Sequence, residues 1–169
     1  MRPVSASITI DAPRERVFDL LRDLGCRPAF TDHFFTDLRL GRIDPVGVGA
    51  SARFRIRDSN AWLDTVIEEV ERPHLVRESG HGGRLNRVPV FTVWELAEGP
   101  APGGCEVTVT FWAQPTKLID RLHKPFRSTR VYRRGFKRAL ERLRELAESE
   151  APVPRVTVAG RDRVPAFNA

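Results

Sequence analysis

FRSTRVYRRGFKRALERLRELAE, residues 126–148, places its apolar side chains at helical spacing. Extended upstream, the row Leu118, Leu122, Phe126, Thr129, Tyr132, Phe136, Leu140, Leu143 and Ala147 returns every three or four residues to one face, as in a long amphipathic helix. Pro125 has no amide donor, so the spacing predicts a kink there, or a short helix ahead of a longer one over about 126–148. A helix with one apolar stripe must lay it on another layer, and the upstream residues say what that layer is.

From Thr36 to about Pro115 no helical period exists. Alternating segments predict strands at about 37–43, 50–58, 61–71, 74–81, 87–97 and 105–114, with Gly, Pro and Asn turns between them. Sequential hairpins of this kind make an antiparallel meander. Ahead of it, Val4, Ala6, Ile8 and Ile10 alternate with Ser5, Ser7 and Thr9 as a further half-buried strand. Asp11-Ala12-Pro13 then opens a helix, with Asp11 as its cap and Val17, Phe18 and Leu21 as its apolar face, and Gly25 ends it. Residues Arg27 to Phe35 read as a second short helix. This order sets all helices on one side of a seven-stranded curved antiparallel sheet, an α+β arrangement with a cavity expected between sheet and long helix. One domain over 1–149 and a loosely ordered Pro-rich tail over 150–169 are expected, with Arg155 to Val158 a candidate edge strand.

Twenty-eight basic against 22 acidic residues leave a net charge of +6. Much of the excess is local, because no acid falls between Asp120 and Glu141 while Arg121, Lys124, Arg127, Arg130, Arg133, Arg134, Lys137 and Arg138 succeed one another. Such a face is compatible with weak contact to an anionic surface. Nucleic-acid modules interleave aromatics on an open sheet or present a groove-reading helix, and neither pattern occurs, so no specific nucleic-acid partner is expected. Cys26 and Cys105 are too few for a disulfide framework and share no metal-ligand spacing with His33, His74, His81 or His123. Neither metal nor cofactor is expected. Gly47-Val48-Gly49-Ala50-Ser51-Ala52 fits a dinucleotide fingerprint in letters only, since a strand follows it where a helix is required. Without an apolar run long enough to span a bilayer, the expected location is the cytoplasm, as monomer or dimer.

The order of these pieces resembles the START-like superfamily, also called SRPBCC, and within it the polyketide cyclase/dehydrase-like group. The resemblance covers about residues 4–148. It rests on the first strand running into Asp11-Ala12-Pro13 and Arg16-Val17-Phe18-Asp19-Leu20-Leu21, and on Val46-Gly47-Val48-Gly49-Ala50. It continues through Val66-Ile67-Glu68-Glu69-Val70-Glu71-Arg72-Pro73, Gly103-Gly104-Cys105-Glu106-Val107-Thr108-Val109 and Arg142-Leu143-Arg144-Glu145-Leu146-Ala147-Glu148. It implies a helix-grip domain whose pocket holds a lipid, sterol, polyketide or other hydrophobic small molecule, some relatives being cyclases or aromatases and others binders or carriers. Residues His81 to Asn86 match the Gly-rich phosphate-like loop of the plant-allergen branch only loosely, and no phosphate site is carried over.

Alternation assigns the pocket lining. Glu95 faces solvent, so Val90, Thr92 and Trp94 face the cavity, joined from the last strand by Val109 and Phe111. Phe54 and Ile56 point inward opposite Arg53, Arg55 and Arg57, and the helix adds Phe126, Thr129, Tyr132 and Phe136. Trp94 either lines a ligand site or fills the core. Asp64 shares a face with Trp62 and Val66: if that face is interior, Trp62 lines the pocket and Asp64 is a buried general acid or base, and if not, Leu63 and Thr65 are inside. Glu78 and Gly80 likewise oppose Ser79 and His81, and only one pair can face in. Two functions follow: a domain that encloses a hydrophobic or amphipathic small molecule, or a cyclase, aromatase or dehydratase moving protons with Asp64, His81 or Tyr132.

Overall fold

The chain is described by a computed structural model over residues 2–57, 59, 61–83, 85–115, 129–149 and 151–159. Seven strands, β1 (Val4–Ile10), β2 (Phe35–Leu40), β3 (Ser51–Ile56), β4 (Trp62–Glu71), β5 (Leu75–Gly83), β6 (Val88–Glu98) and β7 (Cys105–Ala113), form one antiparallel sheet in the order β1-β7-β6-β5-β4-β3-β2. Helices α1 (Arg14–Leu21) and α2 (Arg27–Thr31) carry the chain from one edge of the sheet to the other, and α3 (Thr129–Glu148) closes the fold.

The first strand pairs with the last, Val4 opposite Phe111 and Ile10 opposite Cys105. Its inner residues Val4, Ala6 and Ile10 are buried, while outside Ser5 and Ser7 meet Thr110 and Thr108 hydroxyl to hydroxyl at 2.9 and 2.8 Å. Alternation thus sorts apolar from polar by face. The sheet bends where β4 and β5 change register between Ile67 and Glu69. Gly80 sits in this curled segment, where a Cβ would run into the Asp64 carbonyl of the neighbouring strand.

Helix α3 buries Tyr132, Gly135, Phe136, Ala139, Leu140, Leu143 and Ala147, the expected stripe, against β1 and α2. Description resumes at Thr129, so the expected kink at Pro125, the Phe126 lining position and the basic residues Arg121, Lys124 and Arg127 lie outside the described residues. Asp11 does not cap α1: Pro13 occupies the N-cap with extended backbone and no side-chain bond, and the Asp11 amide instead donates to Glu148 at 2.9 Å, tying β1 to the end of α3. The second helix is shorter than expected because Phe35 pairs with Ile56 and starts β2. In the tail, Arg155 to Val158 forms no strand. The Val156 amide donates to the Gly25 carbonyl and Arg155 meets Asp23 at 2.8 Å, which holds this piece against the α1–α2 turn. Among the described residues no helix is long and apolar enough to cross a membrane.

Candidate functional site

The space between sheet and helix is filled by interlocking rings. Phe136 of α3 meets Phe34, Phe35, Trp94 and Phe111 at centroid distances of 5.2, 6.2, 6.1 and 5.6 Å, and Tyr132 stacks on Phe111 at 4.6 Å. Among the described residues these rings leave a void of about 10 Å³. A single water needs roughly 10–15 Å³, so the roomy cavity expected from a curved sheet is a closed one here. The cause is the ring size on α2, β2 and α3, whose aromatics reach the concave face and pack at ordinary ring distances.

The wall of this void is half polar. Glu78 of β5 is 2 % exposed and Arg27 at the start of α2 is 4 % exposed. Arg27 Nη2 donates to Glu78 Oε1 at 2.7 Å and to the Leu21 carbonyl at 3.0 Å. Trp94 Nε1 donates to the same Oε1 at 2.9 Å, and Thr65 Oγ1 donates to Oε2 at 2.9 Å. The guanidinium also lies over the Trp94 ring, 5.0 Å from its centroid. Thr31 and Thr92 add hydroxyls, and Phe35, Phe54, Leu63, Val90, Phe111 and Phe136, with Asp64 at the border, make up the rest of the wall. Buried polar atoms are almost always paired, yet Arg27 Nε and the Tyr132 hydroxyl have no hydrogen-bond partner among the described residues.

A second space, a cleft of about 260 Å³, opens where α2 leads into β2, between the end of β3 and the first turns of α3. Phe34, Ile56, Tyr132 and Gly135, all buried, form its floor, and Arg57, Val131, Arg134, Arg138 and His33 its rim. Gly135 is needed here: a Cβ would stand 2.8 Å from the Phe34 ring. His33 Nε2 and the Gly135 carbonyl are 2.9 Å apart, and since the carbonyl can only accept, Nε2 carries the proton. Burial, then the cations Arg142 and Arg138, hold the His33 pKa below its usual value, against the Gly135 bond and Asp32. Tyr132 lines the cleft and stacks on Phe111, which lines the void; Phe34, also of the cleft, lies 3.9 Å from Phe35 of the void. Two aromatic pairs therefore stand between the spaces.

The lining residues divide accordingly. Phe54, Val90, Thr92, Phe111 and Phe136 face the void, and Ile56 and Tyr132 face the cleft. Trp94 and Val109 are fully buried and paired across β6 and β7, so Trp94 takes the core role and reaches the void through Glu78, Arg27 and Phe136. Thr129 is half-buried at the start of α3. Inward on β4 are Leu63, Thr65 and Ile67, and this corrects the interior placement of Trp62 and Asp64. Trp62 lies under Arg53 and Arg39 at 5.0 and 5.5 Å, and although Asp64 borders the void along β4, its carboxylate turns to Arg53 at 3.4 Å and to the Asn86 amide. His81 is exposed on β5, and the inward member of that segment is Glu78. Asp64, His81 and Tyr132 thus do not converge, and burial raises the Tyr132 phenol, which keeps its proton.

The family described as polyketide cyclase / dehydrase and lipid transport matches residues 1–148. No curated protein matches the chain in sequence. Among solved structures, the KanY protein superposes with a TM-score of 0.67 at 18% identity, covering 87% of this chain and 97% of its own. TTHA0849 from Thermus thermophilus does so at 0.66 and 20% identity, covering 87% and 99%. Ginseng major latex-like protein 151 from Panax ginseng does so at 0.67 and 10% identity, covering 87% and 97%. At these identities the likeness concerns the fold, the seven-stranded curled sheet gripped by a C-terminal helix.

Proposed function

The chain belongs to the polyketide cyclase / dehydrase and lipid transport family, and on that premise we propose that it binds an amphipathic small molecule, lipid-like, polyketide-like or aromatic, between the sheet and α3. The observation that carries this reading is the Arg27–Glu78 pair buried at a void among aromatic rings, with Arg27 Nε left without a partner among the described residues. A buried ion pair rarely adds stability over apolar packing of the same volume, whereas a polar group on the wall of an apolar pocket orients a guest. The aromatic rings would meet the body of the molecule and the charged cluster its polar substituent. Because the space at rest holds about one water, entry requires the pairs Phe34–Phe35 and Phe111–Tyr132 to part. Binding is preferred to proton transfer because the carboxylate of Asp64 is turned from the interior, His81 is exposed, and Tyr132 holds its phenolic proton.

Native mass spectrometry of freshly purified protein tests this, a co-purified molecule identifying the ligand class. The fluorescence arm uses Trp62→Phe with Trp112→Phe, which leaves Trp94, bonded to Glu78, as the reporter. Addition of a hydrophobic ligand should shift its emission; a panel of alkyl and aromatic amphiphiles that leaves Trp94 unchanged, with nothing co-purified, removes the proposal.

A further inference from the structure

Resting on that reading, we infer that the guest is an amphipathic anion, and that the cleft beside α3 reads its carboxylate or phosphate end. Three guanidinium groups, Arg57, Arg134 and Arg138, surround an apolar floor that includes Phe34 and Ile56, and no acidic side chain lines the cleft among the described residues. Among the described residues the nearby acid is Asp32, whose carboxylate is engaged by Arg142 and whose carbonyl accepts from Arg57 Nη2 at 2.9 Å. Arg57 is thereby positioned, while Arg134 and Arg138 have no ion pair among the described residues. His33 does not compete for the anion, because its one proton is committed to the Gly135 carbonyl. Tyr132, 1 % exposed and with an unpartnered hydroxyl, joins the cleft to the interior through Phe111.

Size and chemistry point the same way. Pockets for whole drug-sized ligands run from about 300 to 1,000 Å³, and at about 260 Å³ the cleft suits a headgroup with its first carbons better than an entire guest. Exposed arginines are ordinarily solvated and contribute little. Here they ring an apolar floor that leads to a buried aromatic wall, so one molecule can satisfy the cations while its chain replaces the rings. The acid end then stays at the rim and the body lies inward of Tyr132.

The test compares dodecanoate, dodecyl phosphate and dodecanol, each below its micelle concentration, by isothermal titration at low and moderate salt. Charge-assisted bonds to two free guanidiniums should favour either anion over the alcohol by about tenfold or more. Arg134→Gln with Arg138→Gln should bring that ratio close to one. Arg130→Gln with Lys137→Gln, which removes the same charge from α3 outside the cleft, should keep it. A preference that both double variants lose alike, or that neither loses, overturns the cleft as the reader. Equal affinity of wild type for anion and alcohol overturns the anionic guest while leaving small-molecule binding intact. If none of the three binds, this inference falls, while small-molecule binding is decided by the wider panel of alkyl and aromatic amphiphiles. Dodecanoate against dodecyl phosphate then separates a carboxylate from a phosphate end.

Discussion

Glu78 accepts three hydrogen bonds in the interior, so its removal leaves a guanidinium with no counter-charge and two donors with no acceptor. Glu78→Ala should destabilise the protein by about 3–5 kcal/mol, the cost of stranding a buried charge, measured by urea unfolding. Replacing both partners, Arg27→Met with Glu78→Leu, should recover most of that loss, since the desolvation cost disappears with the pair. Neither residue stands out in the sequence, because an arginine in a short helix and a glutamate in a strand are ordinarily solvent-facing. Alternation separates Glu78 from Ser79 and His81, but the inward choice is made by donors on β4 and β6, which only the folded sheet brings near. Asp64 is ambiguous in the sequence for a related reason: β4 is apolar on both faces, with Leu63 and Ile67 on one and Trp62 and Val66 on the other, and the outward face is fixed by the arginines that cover Trp62. His33 gives a pH signature. Its pKa is lowered in the fold, so the unfolded chain binds more protons near and below the ordinary value of about 6.5. Stability is therefore full above that pH and declines as pH falls through it toward the folded value. Wild type should lose urea resistance as pH falls below about 6.5, and the His33→Gln variant should show a flatter profile there.

At the scale of elements the glycines divide into those that permit a turn and those that permit an approach. Gly135 lies in the middle of α3, where alanine would ordinarily gain about 1 kcal/mol. Here the added methyl would press on a Phe34 ring held by Phe35 and Phe136, so Gly135→Ala should instead destabilise, by about 1–3 kcal/mol of overpacking. Gly80→Ala should cost more, because its obstacle is the Asp64 carbonyl of the paired strand, and backbone yields less readily than a ring. Thermal unfolding of the two variants beside wild type orders these effects. The elements themselves are largely legible in the sequence. β1 and the stripe of α3 follow from period two and period 3.6, and each meander strand falls within a few residues of its expected place. The errors sit at ends decided by tertiary pairing, where Phe35 is drawn into β2 by Ile56 and the Asp11 amide is taken by Glu148. The Tyr132 position illustrates both sides: its burial follows from spacing, but its place between void and cleft depends on Phe111, which arrives from β7.

For the molecule as a whole, the central question is how a fold that grips ligands can be closed at rest. The sheet is curled, and aromatic side chains occupy the space between it and α3, with Phe136 against the rings of Phe34 after α2, Phe35 of β2, Trp94 of β6 and Phe111 of β7 at once. If those rings stand in for a guest, removing the central one should uncover a ready site. Phe136→Ala should cost about 3–5 kcal/mol through lost contacts and the cavity left behind. An apolar cavity on the order of 150 Å³ stays dry and takes up benzene-sized molecules. The variant should therefore regain thermal stability on adding benzene or indole, in proportion to ligand concentration as for any ligand that binds only the folded state, whereas wild type, with its void of about 10 Å³, should not respond to these small probes. A chain-length series extends the argument. Wild type should respond only to amphiphiles long enough to displace the rings while their polar end is held, so its response should rise with alkyl length; in Phe136→Ala the threshold should fall, because the displacement has already been made. A variant that shows no uptake would mean that α3 collapses onto the sheet when the ring is lost, and the closed interior would then be an ordinary core.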